Sequence, residues 1–201
     1  MRINFSAVTG RRALARAGVA LLIGTGVAVG GAAPASAQIL VPAGCGALSG
    51  LPVPVGFTLE DHSGDPGPLG TAGSPFSTQV TNNMITVGTP FADFIEGSNT
   101  PQEVICGRNG ADVINGNGGN DEIYGGNGRD VLSGGEFRDE IHGEENNDTI
   151  HGDEVVATGF DQNDELRGGL GNDTITGGND VLSPGVPDTI TGGGGSNTVT
   201  P

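Results

Sequence analysis

The sequence predicts an all-β chain, a right-handed parallel β-roll preceded by a short irregular N-terminal strap. Three regularities predict it: from Gly88 onward a glycine returns every nine residues, an acid stands at the sixth place behind it, and an aliphatic residue at the eighth. The windows run Gly88 to Glu96, Gly107 to Asn115, Gly116 to Tyr124, Gly125 to Ser133, Gly134 to His142, Gly143 to His151, Gly159 to Arg167, Gly168 to Thr176 and Gly192 to Thr200. Gly97 to Cys106 is a further copy lengthened by one residue.

The strands come from the eighth position, which reads Ile95, Ile105, Ile114, Ile123, Leu132, Ile141, Ile150, Leu166, Ile175 and Val199, without a polar exception. One aliphatic side chain flanked by two outward residues is a three-residue strand, in keeping with the strand period of two. The turns come from the glycine-rich half, because glycine reaches positive φ without a Cβ penalty. Two nonapeptides then close one coil, and stacked coils bury a thin Ile and Leu ladder while sharing backbone hydrogen bonds.

That ladder is too thin to hold the coils by itself. One buried aliphatic side chain contributes roughly 1.5 to 3 kcal/mol, whereas ordering nine residues of backbone costs more than about 1 kcal/mol each. The sixth position carries what is missing: Asp93, Asp112, Asp121, Asp130, Asp139, Asp148, Asp164 and Asp173, with Asn197 in the last copy and Glu103 in the lengthened one. Alternation stacks Asp112, Asp130 and Asp148 on one edge, and Asp121 and Asp139 on the other. Such rows repel themselves unless a divalent cation lies between their members. Calcium fits, since it accepts six to eight hard oxygens at about 2.3 to 2.6 Å, available here from carboxylates and glycine carbonyls. Magnesium wants a tighter octahedron, and soft ligands for zinc are lacking.

The stretches Gly125-Gly126-Asn127-Gly128-Arg129-Asp130-Val131-Leu132-Ser133 and Gly168-Gly169-Leu170-Gly171-Asn172-Asp173-Thr174-Ile175-Thr176 resemble the nonapeptide of the RTX (repeats-in-toxin, hemolysin-type) family. The resemblance covers about 88 to 200 and implies calcium in the turns. The metal residues on this reading are Asp112, Asp121, Asp130, Asp139, Asp148, Asp164, Asp173 and Asp188, with the turn glycines Gly107, Gly110, Gly116, Gly119, Gly125, Gly128, Gly168 and Gly171. Phe137 and Asn146 stand where glycine is usual, which sets the turns of Asp139 and Asp148 apart from the regular ones. Many family members join the repeats to a protease, lipase or toxin domain. Nothing of that size is present here, so enzymatic activity is not carried over. Members exported in one step have an uncleaved C-terminal signal, whereas an N-terminal one is expected here.

Beyond residue 151 the register is open. Gly152 to Thr158 reads as a loop or as a shortened half-turn with Asp153 at the metal point. Gly177 to Thr191 reads as one repeat with an insertion, or as two short pieces holding Asp180 and Asp188.

Organisation follows from composition. Residues 1–37 have an Arg-bearing start, an apolar stretch from Ala17 to Val29 and small residues at Ala35-Ser36-Ala37, the three parts of an export signal cleaved before Gln38. The stretch is short of the roughly 20 apolar residues a membrane span needs. Arg11-Arg12 raises a twin-arginine signal, but the rest of that pattern is incomplete and the general route is preferred. Residues 38–87 are a Pro/Gly/Thr-rich strap or linker, and 88–201 the roll. Cys45 and Cys106, exported to an oxidising compartment, are expected to form a disulfide.

Removing 1–37 leaves four bases against 24 acids. Nucleic acid is excluded as a partner for want of a basic patch. The expected partners are calcium ions, with a cell-surface or polysaccharide partner, or self-association through an uncapped C-terminal end, left open. The expected location is extracellular. Glu60-Asp61-His62-Ser63 has the ingredients of acid, base and nucleophile chemistry but no scaffold to organise them, so a small hydrolase is the weakest alternative. His142 and His151 fall on opposite sheets and read as solvated, Arg108, Arg129, Arg138 and Arg167 as offsetting local carboxylates, and the threonines of Thr174-Ile175-Thr176, Thr189-Ile190-Thr191 and Thr198-Val199-Thr200 as ordinary strand residues.

Overall fold

Each nonapeptide contributes half a coil, so consecutive strands fall on opposite sides and every second strand pairs in parallel. The computed structural model describes residues 39–65, 67, 76–77, 83–99, 102–153, 163–178 and 187–200. The export signal expected over 1–37 lies outside them. Among the described residues one sheet holds β1 (Thr58–Asp61), β3 (Met84–Val87), β5 (Glu103–Asn109), β7 (Glu122–Asn127), β9 (Glu140–Glu145), β11 (Glu165–Leu170) and β13 (Thr189–Gly194), hydrogen-bonded in that order. The facing sheet holds β2 (Phe76–Ser77), β4 (Phe94–Glu96), β6 (Val113–Gly118), β8 (Val131–Glu136), β10 (Thr149–Asp153), β12 (Thr174–Thr176) and β14 (Thr198–Thr200). The chain is a parallel β-roll.

Register puts the aliphatic residues on top of one another. Ile105, Ile123, Ile141, Leu166 and Ile190 are successive partners in the first sheet. Ile95, Ile114, Leu132, Ile150, Ile175 and Val199 are successive partners in the second. Nine of these form the continuous core, with Ile190 packed partly against it. Val199 differs from its sequence reading. It is 45% exposed, because β14 ends its sheet and among the described residues no further rung covers it.

The sheet extends upstream of Gly88. β3 places Thr86 beside Ile105 on the inner ladder and turns Ile85 and Val87 outward, alongside Val104 and Cys106. Residues 39–65 lie over that outer surface and form a second buried cluster of Val41, Cys45, Ile85, Val87, Val104, Cys106 and Tyr124. The only helical turn among the described residues, Gly46–Leu48, sits here, with Gly46 against the Tyr124 ring. Cys45 and Cys106 are disulfide-bonded across 61 positions, a closure worth about 4 kcal/mol in the chain-entropy description. Arg108 donates to the carbonyls of Ala43 and Ser63, so this arginine tethers the strap instead of offsetting a carboxylate. Arg167 does the latter, pairing with Glu140 and Glu165.

Candidate metal centre

The two edges of the roll carry the chemistry. Turns from first sheet to second form one edge and turns back form the other, so each sixth-position acid stacks on the acid two repeats away. One oxygen of each is committed to the fold. On the first edge Asp112 Oδ1 accepts the backbone N–H of Asp93, Asp130 that of Asp112, Asp148 that of Asp130, and Asp173 that of Asp148. Asn197 Oδ1 closes this row on Asp173. On the second edge Asp121 accepts from Glu103, Asp139 from Asp121, Asp164 from Asp139, and Asp188 from Asp164.

These rows settle the register past residue 151. Asp139 to Asp164 and Asp148 to Asp173 span 25 positions where regular turns span 18. One repeat therefore opens at Gly152, carries seven extra residues and closes at Arg167. Gly152 is confirmed as its first residue by its approach to Asp164 Oδ2 and the Gly177 carbonyl. The reading of Gly159 as the opening glycine is corrected: the repeat begins at Gly152, and Gly159 lies outside the described residues. Asp153 is second in this turn, not at the metal point. Asp164 to Asp188 spans 24 positions, so Gly177 to Thr191 is one repeat with six extra residues. Asp180 lies outside the described residues. Both long turns fall on the second edge.

The other carboxylate oxygen points inward. Oδ2 of Asp112, Asp121, Asp130, Asp139, Asp148 and Asp173 is buried without a hydrogen-bond partner. Each lies against the first glycine of its own turn, where a carbonyl of the neighbouring turn also arrives. The point a Cβ would take on Gly107 is 2.6 Å from both Asp112 Oδ2 and the Gly125 carbonyl oxygen. Gly116 has Asp121 Oδ2 and the Gly134 carbonyl at 2.8 and 2.5 Å, Gly125 has Asp130 Oδ2 and the Gly143 carbonyl at 2.6 and 2.9 Å, and Gly168 has Asp173 Oδ2 and the Gly192 carbonyl at 2.3 and 2.5 Å. The arrangement is a row of oxygens, one carboxylate and main-chain carbonyls per turn. Among the described residues no three His, Cys, Asp or Glu side chains gather as a metal cage, as expected where carbonyls make up most of a ligand set. Gly110, Gly119, Gly128 and Gly171 take φ of 142°, 143°, 157° and 149°. Phe137 and Asn146, at the same turn position, adopt φ of 78° and 79°, yet Asp139 and Asp148 keep their places in the rows.

The family model described as the RTX calcium-binding nonapeptide repeat matches four times, over residues 104–132, 124–154, 158–185 and 187–200. Residues 104–200 are an array of RTX calcium-binding repeats. No curated protein and no solved structure matches the chain.

Calcium is the ion RTX repeats bind, and the oxygens of this array suit it: hard, mostly neutral, one charge per turn. Without an ion those charges are costly. Burial pushes Asp112 and Asp139 up to about 8, Asp121 and Asp148 to about 7 and Asp130 to about 6. The backbone N–H that each accepts opposes the shift, and neighbouring carboxylates add to it. The folded values lie above the ordinary 3.8, so between about pH 4 and 8 the metal-free RTX roll holds more protons than the unfolded chain. Its stability is then greatest near pH 4 and falls as pH rises to 8. In chelator, the strand signal of the array is expected to grow on acidification from about pH 8 to 4, while calcium affinity rises in the opposite direction because binding expels protons. A chelated strand signal that falls with acid would contradict this.

The histidines separate as expected by sheet, His142 on β9 and His151 on β10. His142 is not simply solvated, however: it stacks on Tyr124 at 4.8 Å between centroids and pairs with Glu140. Sequence reasoning missed Tyr124 as a core residue, because position nine is outward in every other repeat and only the strap over it makes it buried.

Proposed function

We propose that this chain is an exported, non-catalytic calcium-binding protein, in which ions held between stacked turns hold the roll folded. The ligands are Asp112, Asp121, Asp130, Asp139, Asp148, Asp164, Asp173 and Asp188, joined by carbonyls of the turn glycines, Gly107, Gly116, Gly125 and Gly168 first among them. The observation that carries this is the run of buried Oδ2 atoms without partners, each beside a neighbouring turn's carbonyl. A buried charged oxygen left unpaired costs several kcal/mol, and a dication between turns is what offsets it. Export rests on the N-terminal 37 residues, and extracellular calcium is concentrated enough to load modules of this kind. Among the described residues no helix is long and apolar enough to cross a membrane.

The reading without catalysis is supported by the geometry of Glu60 to Ser63, the segment whose residue types suit acid and base chemistry. His62 Nδ1 lies 2.7 Å from Asp65 and Nε2 lies 3.3 Å from Glu60. Both ring nitrogens face carboxylates, so neither is placed to take a proton from Ser63. Equilibrium dialysis of the mature chain tests the proposal. Several calcium ions per chain are expected, with magnesium a poor competitor, and fewer ions after Asp121→Asn, Asp130→Asn and Asp139→Asn together. Retention of one ion or none by the unsubstituted chain at millimolar calcium would overturn it.

A further inference from the structure

The first turn on each edge differs from those that follow. In the turn from Gly88 to Asp93, Thr89 donates its backbone N–H to Asp93 Oδ2 at 2.7 Å and its hydroxyl to Oδ1 at 2.8 Å. In the turn from Gly97 to Glu103, Ser98 donates its N–H to Glu103 Oε2 at 2.6 Å and its hydroxyl to Oε1 at 3.1 Å. The second residue of the turn thus satisfies both carboxylate oxygens. Later turns on the first edge have no such donor: their second residues, Arg108, Gly126, Glu144, Gly169 and Gly193, sit at φ between 74° and 104°, and Oδ2 of Asp112, Asp130, Asp148 and Asp173 is without a partner. Thr89, Asp93 and Glu103 are as deeply buried as the later acids, so the difference is not one of exposure.

The same end of the roll is also held by other means. The disulfide joins Cys45 to β5, Arg108 ties two carbonyls of the strap, and the second cluster covers the outside of β3 and β5. Toward β13 and β14 there is one core instead of two, and the strand residues are largely exposed.

We propose that the first coil, from Met84 to Asn109 with residues 39–65 packed on it, is a calcium-independent seed. Thr89 and Ser98 do there what the ion does in later turns, and calcium-driven winding starts on β5 and runs toward β14. This rests on the calcium reading above for the later turns only. A seed of this kind removes the costly first step of a solenoid, since every later coil adds to an existing face.

Hydrogen exchange of the full mature chain, disulfide intact, tests it. In chelator, amides of 84–109 are expected to exchange at least about tenfold more slowly than those of 126–153. Thr89→Val with Ser98→Ala is expected to abolish that difference in chelator and to leave the protection of 126–153 at saturating calcium. Equal exchange of the two segments in chelator, or protection of 84–109 that survives both substitutions, would overturn the seed. If added calcium fails to slow 126–153, the calcium reading and the direction of winding fall together, and the chelator comparison alone decides whether the seed stands. As a second check, Asp93→Asn is expected to leave the number of bound calcium ions unchanged, and a lost ion would show that this turn is a metal site after all.

Discussion

Alanine at Gly128 is expected to unwind the regular edge of the roll. A Cβ there would fall 1.4 Å from the carbonyl oxygen of Gly110 and 2.6 Å from its carbon. Both obstacles are backbone, held in place by the coil below, so the clash can be relieved only by pulling two turns apart. The same movement separates Asp112 from Asp130, whose carboxylate accepts the N–H of Asp112. The cost is roughly 4 kcal/mol or more, in the range reserved for substitutions that break a structural element. Gly118→Ala is the matched control: its nearest neighbour would be Asn99 Oδ1 at 3.4 Å, an ordinary contact, so a change below about 1 kcal/mol is expected. Thermal melts in saturating calcium read both. Similar melting temperatures for the two variants would mean that the turns are not stacked as described.

Asp112→Asn is expected to act with opposite sign on the two states of the protein. The amide oxygen can still accept the N–H of Asp93, as Asn197 does for Asp173 at the last turn of the same edge. The variant therefore keeps the row but removes a charge that burial opposes, with Asp112 pushed up to about 8. In chelator it should keep its strand signal to higher pH than the parent as pH is raised from about 4 to 7. In calcium it should bind about tenfold more weakly or worse, since affinity at such sites follows ligand charge. Asp112→Ala separates the two effects. It also leaves the Asp93 N–H buried without an acceptor, so the chelated state should lose roughly 1 to 3 kcal/mol. A parent and Asp112→Asn variant that lose strand signal at the same pH in chelator would show that the buried carboxylate carries no strain to be relieved.

Much of this site is legible in the sequence because the repeat has an integral period. A nine-residue spacing fixes which acids share an edge and which aliphatic residues share the core, without any knowledge of long-range contacts. The register beyond residue 151 was not legible for the same reason: Gly152 and Gly159 both fit an opening glycine, and the approach of Gly152 to Asp164 Oδ2 and the Gly177 carbonyl shows that Gly152 begins the turn. Nor were the strap's contacts. Tyr124 sits at an outward position that a repeat rule assigns to solvent, and Arg108 at a turn position that glycine fills in three later turns of that edge. Each is explained by residues 39–65, which have no period. The division of labour within one carboxylate, Oδ1 to the fold and Oδ2 to the turn interior, is likewise a matter of side-chain geometry that spacing alone does not carry.

On the proposed reading the dication, not the aliphatic ladder, keeps the later coils wound. Far-ultraviolet circular dichroism of the mature chain with its disulfide intact, first in chelator and then in about 10 mM calcium, tests it most directly, that concentration being roughly ten times the weakest affinity of extracellular modules. At neutral pH a weak strand signal is expected in chelator, from the first coil alone, and a several-fold gain on adding calcium. A strand signal that is already full in chelator and unchanged by calcium would contradict it.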